Sequence, residues 1–522
     1  MKHTLPHAML WLSTSRLSLA SASLIAAASS WIDPRSMLVD YAPTTQATYD
    51  QLVDHFSYSV RARTFKQRYW VYDKFWDGKG PILFFFSGEG QLETFYSDTT
   101  VLFSSIGPEL HGLIVFLEHR YYGKSKVQDN VDLQYLTVEN ALQDTAEFLV
   151  HFRDVNNCGL CPTFVFGGSY GGMLVGWFRM KYPHLTSGGV VSSGSLDFYD
   201  IEQIPRQTWE NALSAWYYEG GMPCYDAVKR AFDVLQTFSP ENETKLVQLF
   251  NVCVDGSPKS RLPGAGLPAL IRYLKGGIAT LSMIDYPFQW GLTTEQPARP
   301  VKHACEKLVQ QNDDLGLLSA LSQVVENYTG PSVKCKNIEL ELFNCNGTSG
   351  LENKRRSGLD MELWNYQACT QIPMMPLSTD LLGFFPPENE KELDSLQQAC
   401  AKRYKVQTRK RHLPLTYGGR LKASDKVQWT DLLTRVVIVD GALDTWRTGS
   451  LGFEVHHNTS DFVVIPPARG SAHHQDLIAE HSSDSPELKE ARRVILETLK
   501  RWLAEDTRRI PTEAPWAASV LV

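Results

Sequence analysis

The chain has no uninterrupted apolar stretch of about 18 residues, so it offers no candidate membrane span. It also lacks an excess of positive charge. Its 51 Lys and Arg residues face 58 Asp and Glu residues, a formal charge of −7. No cationic field draws phosphate backbones, and nucleic acid is not an expected partner. There is no internal repeat and no long low-complexity tract, which excludes solenoids, collagen and coiled coils. No cysteine precedes Cys158, and the C-x-x-C of Cys158 and Cys161 has no second ligand pair at zinc-site spacing. A small local disulfide or two free thiols fits that pair better than a metal. What is present is a chain of 522 residues, 43% apolar and 11% aromatic, too rich in core formers to be disordered.

Seven of the nine cysteines lie between Cys224 and Cys400. Such clustering suggests disulfides formed in an oxidising compartment, and the odd count leaves at least one thiol over. Residues 1–30 read as a secretory signal. Lys2, His3 and Arg16 precede the small-residue apolar stretch Leu17–Ala28, with cleavage positions around Ala26–Ser30. Four sequons, at Asn242, Asn327, Asn346 and Asn458, are available for glycosylation. Together these features point to export.

Short apolar runs at 81–87 (PILFFFS), 112–118 (GLIVFLE), 163–167 (TFVFG) and 188–193 (GGVVSS) suit strands buried on both faces of a parallel sheet. The segment 64–72 has β character, and 136–153 has helical spacing with Thr137 as its cap. Residues 201–412 are mixed, helix-like and cysteine-rich. Buried-strand texture returns at 435–440 and 461–466, and 485–505 closes the chain as an amphipathic helix. The pattern predicts an α/β sheet whose core, 31–200 and 413–510, is interrupted by a helical cap insertion at 201–412.

The chemistry centres on Gly167-Gly168-Ser169-Tyr170-Gly171, a G-x-S-x-G. Chance supplies only about 0.2 such motifs in a chain this long. Here a buried strand precedes it and a helix-like run, 173–182, follows. That is the strand–turn–helix of a nucleophile elbow, with Ser169 as nucleophile. A serine hydroxyl needs a general base, and the base an orienting acid, in the order Ser, Asp, His on this fold. Asp444 lies just past the strand at 435–440, although Asp440, at the strand's end, can serve as well. His473 and His474 lie past the strand at 461–466, and spacing alone permits either as the base. The oxyanion donors expected are the N–H of Tyr170 and one from the 87–91 loop, taken as Gly88.

Several stretches together resemble one family, the serine exopeptidases that include lysosomal prolyl carboxypeptidase, lysosomal dipeptidyl peptidase II and thymus-specific serine protease. They are Asp54-His55-Phe56, Thr64–Tyr69, Glu118–Ser125, Gly167–Met173, Arg179–His184, Tyr366–Cys369 and Ala472-His473-His474. The resemblance implies an α/β-hydrolase core with a disulfide-containing helical cap, His473 as base and Asp444 as acid. It implies no metal and no organic cofactor. It implies cleavage of short proline-containing peptides beside proline, as a Pro-Xaa carboxypeptidase or an Xaa-Pro dipeptidyl peptidase. By position it assigns Met173, Met374 and Trp446 to a proline pocket. It also suggests bridges Cys224–Cys305, Cys253–Cys335 and Cys369–Cys400, leaving Cys158, Cys161 and Cys345.

The chain departs from the family at Thr445, where relatives carry proline, in the oxyanion loop Ser87-Gly88-Glu89-Gly90, which lacks the family's asparagine, and at Gln475 after the His pair. Asn365 stands where the dipeptidyl peptidase has an acid for a substrate's ammonium, which weakens the amino-end reading. A secreted esterase or lipase would use the same triad. A non-catalytic hydrolase-fold binding protein would carry a damaged one. A homodimer is kept open.

Overall fold

The computed structural model describes residues 41–57, 62–128, 132–196, 208–239, 242–254, 257–258, 261–262, 266–290, 296–329, 338, 360–372, 397–398, 400–409, 412–417, 433–451 and 458–509. The signal at 1–30, Met374, Asn346, Cys335 and Cys345 lie outside them, as does the side chain of Cys253.

Eight strands make the central sheet. They are β1 (Thr45–Leu52), β2 (Thr64–Tyr72), β3 (Ile82–Phe86), β4 (Leu113–Leu117), β5 (Thr163–Gly168), β6 (Gly188–Ser192), β7 (Val436–Val439) and β8 (Phe462–Val464). Their spatial order is β1-β2-β4-β3-β5-β6-β7-β8. β2 runs antiparallel to both of its neighbours. Every pairing from β4 onward is parallel, with Phe84 beside Val115 and Val165, and Val190 beside Val437. This is the α/β-hydrolase core that the sequence pattern predicts.

β3 and β4 are buried at all five positions because helices cover both sheet faces. On one face Phe84, Val115, Val165 and Ile438 pack under α1 (Val138–Val155) and α2 (Tyr170–Lys181). Thr137 caps α1, its hydroxyl accepting from the N–H of Asn140 at 3.2 Å. On the other face Phe85, Phe116 and Val437 meet Ile495, Leu499 and Trp502 of the closing helix Pro486–Arg509.

Between β6 and β7 the chain builds the cap from α3 (Thr208–Gln236), α4 (Leu267–Met283), α5 (Pro300–Val309) and α6 (Asp314–Thr329). α3 is broken at Gly221 (φ 64°), two residues before Pro223. Trp216, Phe232, Leu274 and Leu321 centre the cap's own apolar cluster. The bond Cys224–Cys305 ties α3 to α5. The later helix α7 (Met361–Thr370) goes elsewhere. Its Trp364, with Ile372, joins the apolar cluster of the sheet, and Cys369 bonds to Cys400. Cys158 and Cys161 are bonded in the turn that leads into β5.

Candidate active site

Ser169 sits in the sharp turn between β5 and α2. Ser169 has φ 55° and ψ −125°, a conformation that a non-glycine residue adopts only when its surroundings enforce it. Its N–H donates to Ser192 O at 3.0 Å, and its carbonyl accepts from Met173 N at 3.0 Å. The turn is too tight for side chains nearby. A Cβ on Gly171 would stand 2.6 Å from Phe86 O. Tyr170, the first residue of α2, and Gly88, in the loop after β3, come together here, for a Cβ on Gly88 would lie 3.7 Å from Gly171 N.

Asp444 and His473 meet in the loops that follow β7 and β8. His473 Nδ1 lies 2.8 Å from Asp444 Oδ2, and both side chains are buried. Burial would raise the Asp444 carboxyl. The charge and hydrogen bond of His473, the Trp446 N–H and the Ser193 hydroxyl outweigh it and hold the carboxyl below its ordinary value. Asp440 is engaged elsewhere, accepting from Ser450 Oγ at 2.6 Å. Burial pushes its carboxyl up to about 7. His474 donates its backbone N–H to Ser193 Oγ at 2.9 Å. Burial and the neighbouring His473 hold its ring down at about 3, so it stays neutral.

The two halves of the site adjoin, because a Cβ on Gly168 would meet His474 Cγ at 3.2 Å. No hydrogen bond joins Ser169 Oγ to His473 in this structure. Such bonds are often long without substrate and tighten in the reacting complex.

The residues assigned to substrate binding are spread differently. Trp446 is half-buried two residues past Asp444, its indole N–H donating to Met283 Sδ at 3.2 Å. Met173 is buried in the apolar cluster beneath α2. Asn365 is buried on α7. Of the sequons, Asn242 precedes a short helix, Asn327 falls within α6, and Asn458 is exposed with its Oδ1 accepting from Val464 N at 2.8 Å.

Motif residues quoted for the resemblance prove to be scaffold around the site. Glu118 accepts from the backbone N–H groups of Leu92, Lys124 and Ser125 and from Ser125 Oγ, at 2.7–3.0 Å. Arg120 Nε donates to Asp144 Oδ2 at 2.7 Å. His119 Nε2 lies 3.0 Å from the Tyr170 hydroxyl, which also accepts from Gln367 Nε2 at 3.0 Å. Burial holds the His119 ring down at about 4. Sequence reasoning missed Asn211, Met283 and Tyr286, all in the cap, which touch the Asp444 and His473 loops. They are 187 to 233 residues from their partners, and no local spacing marks them.

The profile of the family described as serine carboxypeptidase S28 matches residues 51–495. Lysosomal Pro-X carboxypeptidases of Homo sapiens and Pongo abelii are each 30% identical over 472 residues, covering 88% of this chain and 88% of theirs. The thymus-specific serine protease of Homo sapiens is 28% identical, over 87% of this chain and 86% of its own. Among solved structures, a peroxisomal alpha-beta-hydrolase of Saccharomyces cerevisiae aligns over 90% of this chain and 89% of its own. Its identity is 10% and its TM-score 0.37, and the fold assignment rests instead on the strand order above.

Proposed function

We propose that this chain, which belongs to the serine carboxypeptidase S28 family and is a serine peptidase, removes residues from the ends of short peptides beside proline. Its carboxyl-end form, Pro-Xaa cleavage, is the reading favoured. It agrees with the names of the Pro-X carboxypeptidase relatives and with the neutral Asn365 where an amino-end enzyme would want an acid.

The observation that carries the reading is the buried Asp444–His473 pair, 2.8 Å between Oδ2 and Nδ1, beside the strained turn at Ser169. In this mechanism Asp444 fixes the imidazole tautomer, leaving Nε2 to take the proton from Ser169 Oγ. The oxygen attacks the prolyl carbonyl, and the N–H groups of Tyr170 and Gly88 receive the developing oxyanion. His473 then protonates the leaving amine. Water releases the acyl group by the same steps in reverse.

A proline ring has no amide hydrogen to satisfy, so apolar and aromatic walls suit it, and Trp446 beside the triad is the nearest candidate. The cap helices α3 to α6 would cover the cleft and restrict it to chain ends. Three disulfides among the described residues fit an oxidising compartment, secreted or lysosomal.

The test is hydrolysis of Xaa-Pro-Xaa peptides blocked at one end or the other. Carboxyl amidation should stop cleavage and amino blocking should not; the opposite pattern makes the enzyme a dipeptidyl peptidase. Ser169→Ala should lower kcat by roughly 10⁴-fold or more. Turnover of acyl esters with none of peptides would instead indicate an esterase.

A further inference from the structure

The base loop is held in an unusual way. On the hydrolase side the grips fall on the neighbours of His473. Ala472 N–H donates to Gln475 Oε1 at 3.0 Å, and His474 N–H to Ser193 Oγ at 2.9 Å. Both peptide groups of His473 itself bond to the cap. Its N–H donates to Met283 O at 3.0 Å, and its carbonyl accepts from the Tyr286 hydroxyl at 2.8 Å. Met283 is the last residue of α4, so His473 satisfies a carbonyl that the helix end leaves without an internal partner.

The Tyr286 hydroxyl is aimed by a fixed ring. That ring stacks on Phe288 with centroids 5.6 Å apart and meets Trp290 edge-on at 5.9 Å. It is also fully buried. Arg299 closes the same contact, donating its backbone N–H to Tyr286 O at 2.7 Å and Nη1 to Gly470 O at 3.0 Å.

The acid loop is gripped by the cap as well. Asn211 Nδ2 donates to Asp444 O at 2.6 Å, and Thr445 Oγ1 donates to Ala279 O, on α4, at 2.8 Å. The end of α4 therefore touches both loops.

We propose that the cap is a working part of the catalytic apparatus, with Tyr286 as a positioning residue that sets His473, and Asn211 as its counterpart on the Asp444 side. The inference rests on the reading of Ser169, His473 and Asp444 as the triad. Physically, a hydroxyl bonded to the carbonyl of His473 fixes the peptide plane, and through it the direction of the imidazole. An error of a fraction of an ångström at Nε2 is enough to slow proton transfer.

The experiment uses the full chain and a small fluorophosphonate, which reacts with an activated serine without needing the peptide pocket. Tyr286→Phe keeps the ring and deletes the hydroxyl. We expect the labelling rate of Ser169 and kcat on a proline peptide to fall together by about tenfold. KM should stay within about twofold and the melting temperature should move by only ~2 °C. Ser322→Ala, which removes a hydroxyl bonded to Leu249 O deep in the cap, serves as control and should label at the wild-type rate.

Wild-type labelling in folded Tyr286→Phe overturns the proposal, and so does equal slowing in Ser322→Ala, since the effect would then be general loosening. If Tyr286→Phe does not fold, Asn211→Ala carries the same test from the acid side, with the same two overturning results. Wild-type protein that takes no label, or takes it still after His473→Ala, defeats the triad itself, a failure distinguishable from a normal triad with an indifferent Tyr286.

Discussion

Asp440 and Asp444 sit four residues apart and are both buried, yet their carboxyls are driven in opposite directions. Asp444 has His473, a backbone N–H and Ser193 to hold its charge. Asp440 has one serine hydroxyl, and its Oδ1 is buried with no hydrogen-bond partner. Its raised value, about 7, comes first from burial and then from the charges of Asp444 and Asp476, against the opposing Ser450 bond. The sign for stability follows. Between the unfolded value near 3.8 and the folded value near 7, the folded state holds a proton that the unfolded state has lost. Stability from this group is thus full below about pH 4 and drains away as pH rises to about 7. Asp444 runs the other way and loses its contribution as pH falls. Asp440→Asn, which cannot ionise, should therefore melt higher relative to wild type at pH 8 than at pH 4.5. Thermal unfolding at the two pH values checks it, and an equal difference at both would contradict the burial argument. Strand texture alone left Asp440 and Asp444 as rivals, since one ends the strand and the other lies just past it, and the family resemblance favoured Asp444. Only which carboxyl reaches an imidazole from another loop separates them.

The strands were readable where burial on both sides leaves a continuous apolar run. β2 matches its expected span, and β3, β4, β5, β6, β7 and β8 each fall within a residue or two of theirs. β1 escaped because it is a polar edge strand, with only Gln51 fully buried along TQATYDQL. α2 begins directly at Tyr170, three residues before its apolar run, because the sharp turn at Ser169 starts the helix there. α7, inside the segment expected to be cap, packs against α2, where Trp364 meets Tyr170 with ring centroids 5.3 Å apart. The loops that carry Asp444 and His473 are pressed directly together. A Cβ on Gly441, just past β7, would lie 2.2 Å from Ala472 O and 2.6 Å from Ser471 O. These are backbone atoms of the segment that delivers His473, so the clash can be relieved only by moving it. Gly441→Ala should cost about 1–3 kcal/mol of stability and lower kcat by more than about tenfold. Denaturant unfolding and peptide kinetics on the same preparation check both, and normal kcat would mean that the loop has slack.

The cap's apolar cluster is not sealed from the hydrolase core. Leu443, Ala472 and Ile478, from the acid and base loops, are members of it, packed with Trp216, Leu274 and Leu321. Composition could reveal a helical insertion, but not that its core would be completed by residues next to Asp444 and His473. That depends on contacts between segments separated by well over a hundred positions. A shared cluster makes cap and core one cooperative unit, so stability lost in one is lost from the other. The bond Cys224–Cys305 is the place to apply the load. It lies wholly within the cap, and its sequence separation of 81 implies a large loop-closure term. Replacing both cysteines by alanine should cost roughly 2–4 kcal/mol. If the unit is single, calorimetry of the double variant should show one transition at a lower temperature. Fluorophosphonate labelling of Ser169 should fade along that same transition, because the loops bearing Asp444 and His473 loosen with the cluster they complete. Two resolved transitions, with labelling following an unmoved upper one, would mean that the cap melts as an independent lid and leaves the triad standing.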